Sequence, residues 1–126
     1  MPIEVKKVVV IPTGRYTEVV KKVEITQAEN QDGEMVEYLN LHFDQTNPIE
    51  GFNGFRMSCP FYLTSQSQLG RFLNRLGLMP KTGESFDEMS LEGLRISFDA
   101  VKRPNKQKTG FFTVPDMDSA LLAKEQ

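Results

Sequence analysis

The sequence predicts an all-β domain of five strands, with a single helix inserted between the third and the fourth strand. Apolar residues alternate with a period of two along five segments, a pattern typical of half-buried strands. Between the third and the fourth segment the period changes to that of an amphipathic helix. The 126 residues suffice for one domain with a sizeable core.

The first two strands are predicted over residues 15–26 and 35–44. Three aliphatic side chains of the first strand share one parity: Val19, Val23 and Ile25. Lys21 interrupts that parity. Four apolar side chains of the second strand share one parity: Met35, Leu39, Leu41 and Phe43. The polar segment between the strands contains Asp32-Gly33, a strong hairpin signal.

The third strand and the helix are predicted over residues 55–63 and 66–76. Alternate residues of this strand are apolar: Phe55, Met57, Cys59, Phe61 and Leu63. Pro60 has no N–H for a ladder, so we expect an edge strand or a bulge there. Apolar residues at spacings i, i+3, i+4 and i+7 form one helix face: Leu69, Phe72, Leu73 and Leu76. Candidate caps flank the helix: Thr64, Ser65 and Ser67 before it, and Gly77 after it.

The fourth and fifth strands are predicted over residues 93–101 and 111–114, with a basic loop between them. Leu94, Ile96 and Phe98 alternate with polar residues in the fourth strand. Residues 1–115 are assigned to one domain. Residues 116–126 are assigned to a C-terminal tail, with a helical turn near residues 120–124.

Residues 3–11 are rich in β-branched side chains and predict one additional strand before the five. An unpaired apolar strand would be an exposed edge, which proteins usually avoid. We therefore expect this segment to pair with a sheet edge or with a second copy of the chain, giving a homo-oligomer.

The order strand, strand, strand, helix, strand, strand is that of the OB-fold, a five-stranded Greek-key barrel. Its helix normally closes one end of the barrel between strands three and four, which suits a helix with one apolar face. A β-sandwich of six short strands is the alternative, although a single central helix is less natural there.

Two motifs add a resemblance to this topology. Gly14, Tyr16 and Val20 match a Gly-x-Tyr-x-x-x-Val strand. The helix matches Ser-x-Leu-x-x-Phe-Leu before a glycine: Ser67, Leu69, Phe72, Leu73 and Gly77. With both motifs the chain resembles small OB-fold single-stranded DNA-binding proteins of phage-like and other prokaryotic replication systems. The resemblance spans residues 12–115 and implies a role in DNA replication through single-stranded DNA binding.

Composition excludes several other classes. The chain has 15 Lys and Arg against 17 Asp and Glu, a net charge of −2, so any anion site must be a local patch. One cysteine and one histidine exclude a disulfide framework and a Cys-rich zinc site, and leave little for triad chemistry. We therefore predict no metal, no cofactor and no enzymatic activity.

Location follows from the same residues. No apolar run approaches the ~20 residues of a membrane span, and no run near the first residue is long enough for a signal peptide. These features predict a protein of the reducing cytoplasm, without a membrane partner.

One basic cluster stands out, on the loop predicted between the fourth and fifth strands. Four positive charges lie there: Lys102, Arg103, Lys106 and Lys108. OB-folds bind nucleic acid with this loop and with the outer face of strands two and three, so we predict phosphate contacts. The alternation places Arg56, Tyr38 and Tyr62 on that outer face, and Phe111 follows the loop. Arg56 is predicted to add positive charge, and the three aromatic side chains to stack on bases.

Two further residue groups qualify this site. The turn before the second strand is acidic, with Glu29, Asp32 and Glu34, so we expect anions to bind toward the opposite loop. His42 has no second metal-ligating partner nearby in the sequence, and we expect it to have a structural or solvent-facing role.

The predicted function is binding of single-stranded nucleic acid, with DNA as the favoured partner and RNA as the alternative, and with weak sequence preference because stacking tolerates every base. The alternative is an OB-fold protein-interaction module of a replisome or virion, with protein partners and no nucleic acid. A small enzyme or ligand binder is the third interpretation.

Overall fold

The computed structural model describes residues 10–104 and 111–123. These residues form five strands: β1 (Gly14–Glu29), β2 (Met35–Phe43), β3 (Arg56–Pro60), β4 (Arg95–Pro104) and β5 (Phe111–Leu122). One helix, α1 (Gln68–Leu76), lies between β3 and β4, and a 3-10 turn (Glu88–Leu91) precedes β4. The prediction of a mostly-β fold with one helix between the third and fourth strands is confirmed.

All five strands belong to one antiparallel sheet with the order β3-β2-β1-β4-β5. The alternative of two packed sheets is therefore not observed. The predicted closed barrel is not observed either, because β3 and β5 are the two edges of this sheet in the described residues. These edges contact each other, and α1 packs against both, so side-chain packing rather than a backbone ladder joins them.

The long strand β1 pairs with a different neighbour along each of its two parts. Its first part, Gly14–Val19, pairs with β4, and its second part, from Val20 onward, pairs with β2. The register shifts between Val20 and Lys22, which marks a bulge around Lys21. The bulge explains why Lys21 interrupted the alternation. It also corrects the expected parity, because Val20 rather than Val19 is the buried residue before it.

Local signals set the turns and the helix ends as expected. At the β1–β2 turn the Asn30 side chain accepts the N–H groups of Asp32 and Glu34 at 2.9 Å each, and Gly33 has φ 79°. Ser67 caps α1 by accepting the Gly70 N–H at 3.0 Å. Gly77 ends the helix in the left-handed conformation, with φ 73°.

An aromatic cluster fills the centre of the core. Phe98 and Phe43 are buried, and their ring centroids are 5.2 Å apart. Phe55 is 5.4 Å from Phe98 and 4.8 Å from Tyr16. The Tyr16 hydroxyl donates to the Pro12 carbonyl at 2.7 Å, so its polar tip is satisfied at the rim of the core.

The predicted boundary between residues 115 and 116 falls inside β5, which continues to Leu122. Residues 116–122 are therefore a strand and not a tail. Met117 and Ala120 are buried, and α1 packs against this strand. Tertiary packing thus stabilises a segment whose Asp and Ser content favours turns.

Residues 3–9 of the predicted additional strand lie outside the described residues, and Val10 and Ile11 are not in a strand. The Ile11 carbonyl accepts a hydrogen bond from the Thr113 hydroxyl at 2.7 Å, so the chain enters the fold beside β5. Homo-oligomerisation through residues 3–11 stays a prediction.

Cys59 provides a test of this core. It is the only cysteine of the chain and is buried, and burial raises the pKa of its thiol to about 11 from about 9.0. We expect folded protein to react with a thiol reagent at pH 8 only as fast as it unfolds, while urea-unfolded protein reacts at once, because the thiolate is the nucleophile.

The same pKa shift carries a pH dependence. As pH rises, the thiol ionises in the unfolded chain before it does in the folded protein, and this ionisation favours the unfolded state. The free energy of unfolding therefore falls as pH rises from about 9 to about 11. A Cys59→Ala variant should lack that part of the alkaline decline when unfolding is followed against pH. Rapid labelling of the folded protein at pH 8 would contradict the burial.

Candidate nucleic-acid interface

The outward side chains of β1, β2 and β3 form a continuous surface, here called the polar face. Directly paired residues of antiparallel strands share one side of a sheet, so the register sorts these side chains into three rows. The rows are Lys22, His42 and Arg56, then Glu24, Asn40 and Ser58, then Thr26, Tyr38 and Pro60. Successive rows are about 7 Å apart, because residues i and i+2 of a strand are separated by two rises.

The first row contains three basic side chains beside one carboxylate. Lys22 Nζ lies 3.3 Å from Glu24 Oε2, and His42 Nε2 lies 3.5 Å from Glu24 Oε1. Lys22, and then His42, holds the pKa of the Glu24 carboxyl below its usual range. Arg56 is exposed and has no ion-pair partner among the described residues.

The middle row is a hydrogen-bonded polar network. The Asn40 amide donates to the Thr26 hydroxyl at 2.9 Å, and its carbonyl accepts the Ser58 hydroxyl at 2.5 Å. Asn40 is only 6% exposed although it points outward, because the neighbouring rows cover it. This network fixes the hydroxyl groups that a ligand on the polar face would meet.

The third row holds one of the predicted stacking residues. Tyr38 is half-buried beside Pro60, and Tyr62 lies just beyond the end of β3 with 68% of its surface exposed. Both aromatic rings are therefore at the end of the polar face opposite to Arg56. The acidic β1–β2 turn follows β1 at the same end.

The predicted basic loop is only partly described. Lys102 and Arg103 are exposed at the end of β4, where Arg103 pairs with Phe112 and Pro104 with Phe111. Lys106 and Lys108 lie outside the described residues. We call Lys102, Arg103, Phe111 and Phe112 the hairpin end; the Phe111 side chain is 73% exposed there.

A groove of about 260 Å³ joins the polar face to the hairpin end. Arg56 of β3 and Arg103 of β4 both line it, with Ser58, Gln68 and Asp116. Asp118 also lines it and lies 3.8 Å from the Arg71 guanidinium on α1. The fold thus brings two of the predicted basic residues together, beside carboxylates that limit the positive charge.

A second groove, of about 350 Å³, lies at the hairpin end and is mostly apolar. Its lining includes Lys102 with Phe52, Phe111 and Phe112. Two predicted site residues, Lys102 and Phe111, therefore share this groove. The predicted residues fall into two areas, the polar face and the hairpin end, and Arg56 with Arg103 connects them.

Sequence reasoning missed Lys22 and Glu24 and gave His42 no binding role. The alternation already placed His42 and Arg56 outward, but only the β1–β2 register brings Lys22 beside His42. The parity of Val23 and Ile25 already places Lys22 and Glu24 outward, but parity does not say which β2 residue lies beside each of them.

Residues 10–104 and 111–123 contain no group of three side chains that could hold a metal ion. None of the helices in these residues combines the length and the apolar composition needed to cross a bilayer. Neither protein-family models nor curated proteins match this chain.

Proposed function

We propose that this chain is a non-enzymatic OB-fold protein that binds single-stranded nucleic acid, with DNA as the proposed ligand and RNA as its alternative. In this proposal basic residues contact phosphates along the polar face and the hairpin end, and exposed aromatic rings stack on bases. Sequence preference is weak, because neither contact reads base edges. Participation in prokaryotic or phage-like DNA replication, and a cytoplasmic location, belong to the same proposal.

The topology supports the OB-fold part of the proposal. One long strand, β1, is shared by two hairpins, and its partners β2 and β4 continue into β3 and β5. The helix follows β3 and packs across the gap between the β3 and β5 edges. This order and this helix position are those of a five-stranded Greek-key barrel with one unpaired seam.

The observation that carries the binding proposal is the groove shared by Arg56 and Arg103. OB-folds bind oligonucleotides with the face of strands two and three and with the loops beside it. Here the two arginines connect that face to the end of the β4–β5 hairpin. A single strand lying in the groove would reach Phe111 on one side and the polar face on the other.

Removing both arginines tests this site. In fluorescence-anisotropy titrations with a labelled oligo-dT strand, Arg56→Ala/Arg103→Ala should bind more weakly than wild type. The slope of log affinity against log salt should flatten by about 1.4, or roughly 0.7 for each lost phosphate contact on a single strand. Arg75→Ala/Lys81→Ala is the matched control, since both residues are exposed and neither lines the groove.

An aromatic variant in the same assay separates stacking from charge. Tyr62→Ala should lower affinity by about 1–3 kcal/mol, the usual contribution of one stacked base, and leave the salt slope unchanged. If all variants bind as wild type does, the site is misplaced. If wild type itself fails to bind at low salt, nucleic-acid binding is excluded.

A protein-interaction module is the second candidate, and the hairpin end favours it. Phe111, Phe112 and Val10 expose large apolar surfaces around one groove, an arrangement that soluble proteins usually keep for a partner. The net charge of −2 also suits a protein partner better than a polyanion. Absence of oligo-dT binding at low salt would make this interpretation, as a replisome or virion accessory protein, the better one.

A further inference from the structure

The contacts around Glu24 distinguish the first row from an ordinary charged surface. Its two carboxylate oxygens face two different basic groups, Lys22 Nζ at 3.3 Å and His42 Nε2 at 3.5 Å. All three side chains lie on the outward side of the sheet, and Arg56 is paired directly with His42 on the other flank. One carboxylate thus contacts two basic side chains, and a third basic side chain, Arg56, lies beside His42.

The fit between Glu24 and His42 is loose. The distance of 3.5 Å exceeds the 2.7–2.9 Å of charge-assisted hydrogen bonds. His42 Nε2 is buried, and it has no hydrogen-bond partner among the described residues. A buried nitrogen without a partner is unfavourable, so a ligand oxygen at hydrogen-bond distance would be bound more tightly than the carboxylate.

A phosphate group suits this arrangement better than a carboxylate does. It offers more acceptor oxygens, and arginine binds two of them at once through parallel N–H groups. The direct pairing of His42 with Arg56 brings the guanidinium within reach of an oxygen shared with His42. Lys22, on the other side of His42, would supply a flexible point charge.

We propose that Lys22, His42 and Arg56 form a phosphate-binding subsite whose internal occupant, the Glu24 carboxylate, is displaced when a phosphate binds. The phosphate is that of a nucleic-acid backbone, and to this extent the inference rests on the proposed function. Inorganic pyrophosphate presents the same chemistry without bases. Glu24 therefore lowers the affinity of the polar face for phosphate, because a phosphate must first displace the carboxylate.

The first test removes the negative charge of the Glu24 side chain and leaves its shape nearly unchanged. Glu24→Gln should bind an oligo-dT strand roughly fivefold more tightly than wild type at low salt, the effect of releasing one exposed ion pair. The salt slope should change little, because the same phosphate contact forms in both proteins once the Glu24 carboxylate is displaced. Glu37→Gln is the matched control, since it removes the same charge from an exposed β2 residue that pairs with Gln27 and belongs to none of the three rows.

The gain in affinity on Glu24→Gln must depend on the residues proposed to bind the phosphate. In a Lys22→Ala/His42→Gln background, Glu24→Gln should give no tighter binding than Glu37→Gln does. Equal gains in oligo-dT affinity from Glu24→Gln and Glu37→Gln in the wild-type background would overturn the proposal. They would mean that Glu24 acts only through its contribution to the net charge.

The second test uses pyrophosphate, so that the subsite can be judged without nucleic acid. His42 is the only histidine of the chain, so the Hε1 proton of its imidazole gives a single histidine NMR signal. Pyrophosphate should shift this signal saturably, at lower concentration in Glu24→Gln than in wild type. A shift without oligo-dT binding would support the subsite while excluding the proposed function. Binding of oligo-dT with an unmoved histidine signal would overturn the subsite and leave the proposed function intact.

Discussion

Replacement of Phe98 by alanine is expected to lower the free energy of unfolding by about 4 kcal/mol, within the range observed for buried aromatic truncations. Phe98 is completely buried, and its ring contacts those of Phe43 and Phe55 at centroid distances of 5.2 and 5.4 Å. It also pairs across strands with Tyr16. Truncation leaves a cavity among the rings of Tyr16 on β1, Phe43 on β2 and Phe55 just before β3, and the sheet holds these rings in place, so collapse recovers little of the loss.

Urea unfolding followed by circular dichroism measures this loss, since the chain has no tryptophan for fluorescence. Phe111→Ala is the matched control, because the same side chain is 73% exposed there and its removal should cost less than about 0.5 kcal/mol. If Phe98→Ala does not fold, Phe98→Leu should still fold, with a loss of about 1.5 kcal/mol. Equal stabilities of Phe98→Ala and Phe111→Ala would contradict the described core.

Gly70→Ala is expected to destabilise the protein by about 3 kcal/mol, the upper end of typical overpacking losses. Helix propensity alone predicts the opposite, because alanine is favoured over glycine by about 1 kcal/mol inside a helix. A Cβ at residue 70 would overlap the carbonyl oxygen of Thr64 and lie 2.9 Å from its carbon.

The clash is difficult to relieve, because the Thr64 backbone is held from both sides. Its carbonyl accepts the Ser67 hydroxyl at 3.0 Å, and its N–H donates to the same hydroxyl oxygen at 3.0 Å. That oxygen also caps the helix through the Gly70 N–H. Moving Thr64 away from a new methyl group would therefore disrupt the cap as well.

Asn74→Ala supplies the comparison for Gly70→Ala on the exposed side of the same helix. It should stabilise the protein by about 0.5 kcal/mol, as propensity predicts. Thermal and urea unfolding of both variants would show opposite signs. A stabilised Gly70→Ala variant would mean that the approach of Thr64 to α1 is looser than described.

Where the fold depends on neighbours in sequence, the sequence was sufficient to predict it. The alternation in β2 identified the buried side, with Leu39, Leu41 and Phe43 inside and Tyr38 and His42 outside. The helix was identified by its period and ended at residues that cap it. These features depend on φ/ψ preferences and side-chain periodicity, which extend over only a few residues.

Features that depend on distant contacts were not predictable in this way. Glu18 counted as outward by parity, but it is 6% exposed, and its carboxylate accepts the Thr46 N–H at 2.8 Å. The buried valine before the bulge was Val20 and not Val19. The local sequence shows only that the alternation is interrupted at Lys21. It does not identify a bulge as the cause, because the bulge is set by how β1 divides its pairing between β2 and β4.

The sequence by itself determined a β-rich chain with one capped helix, an acidic net charge and one basic cluster. Only the tertiary structure decided that β5 continues through Asp116 and Asp118, that the sheet stays open between β3 and β5, and that Arg56 meets Arg103 in one groove. It also decided that Lys22 and Glu24 lie beside His42. Residues far apart in the chain come together only through strand register and edge packing, and these are fixed by the core as a whole rather than by any segment.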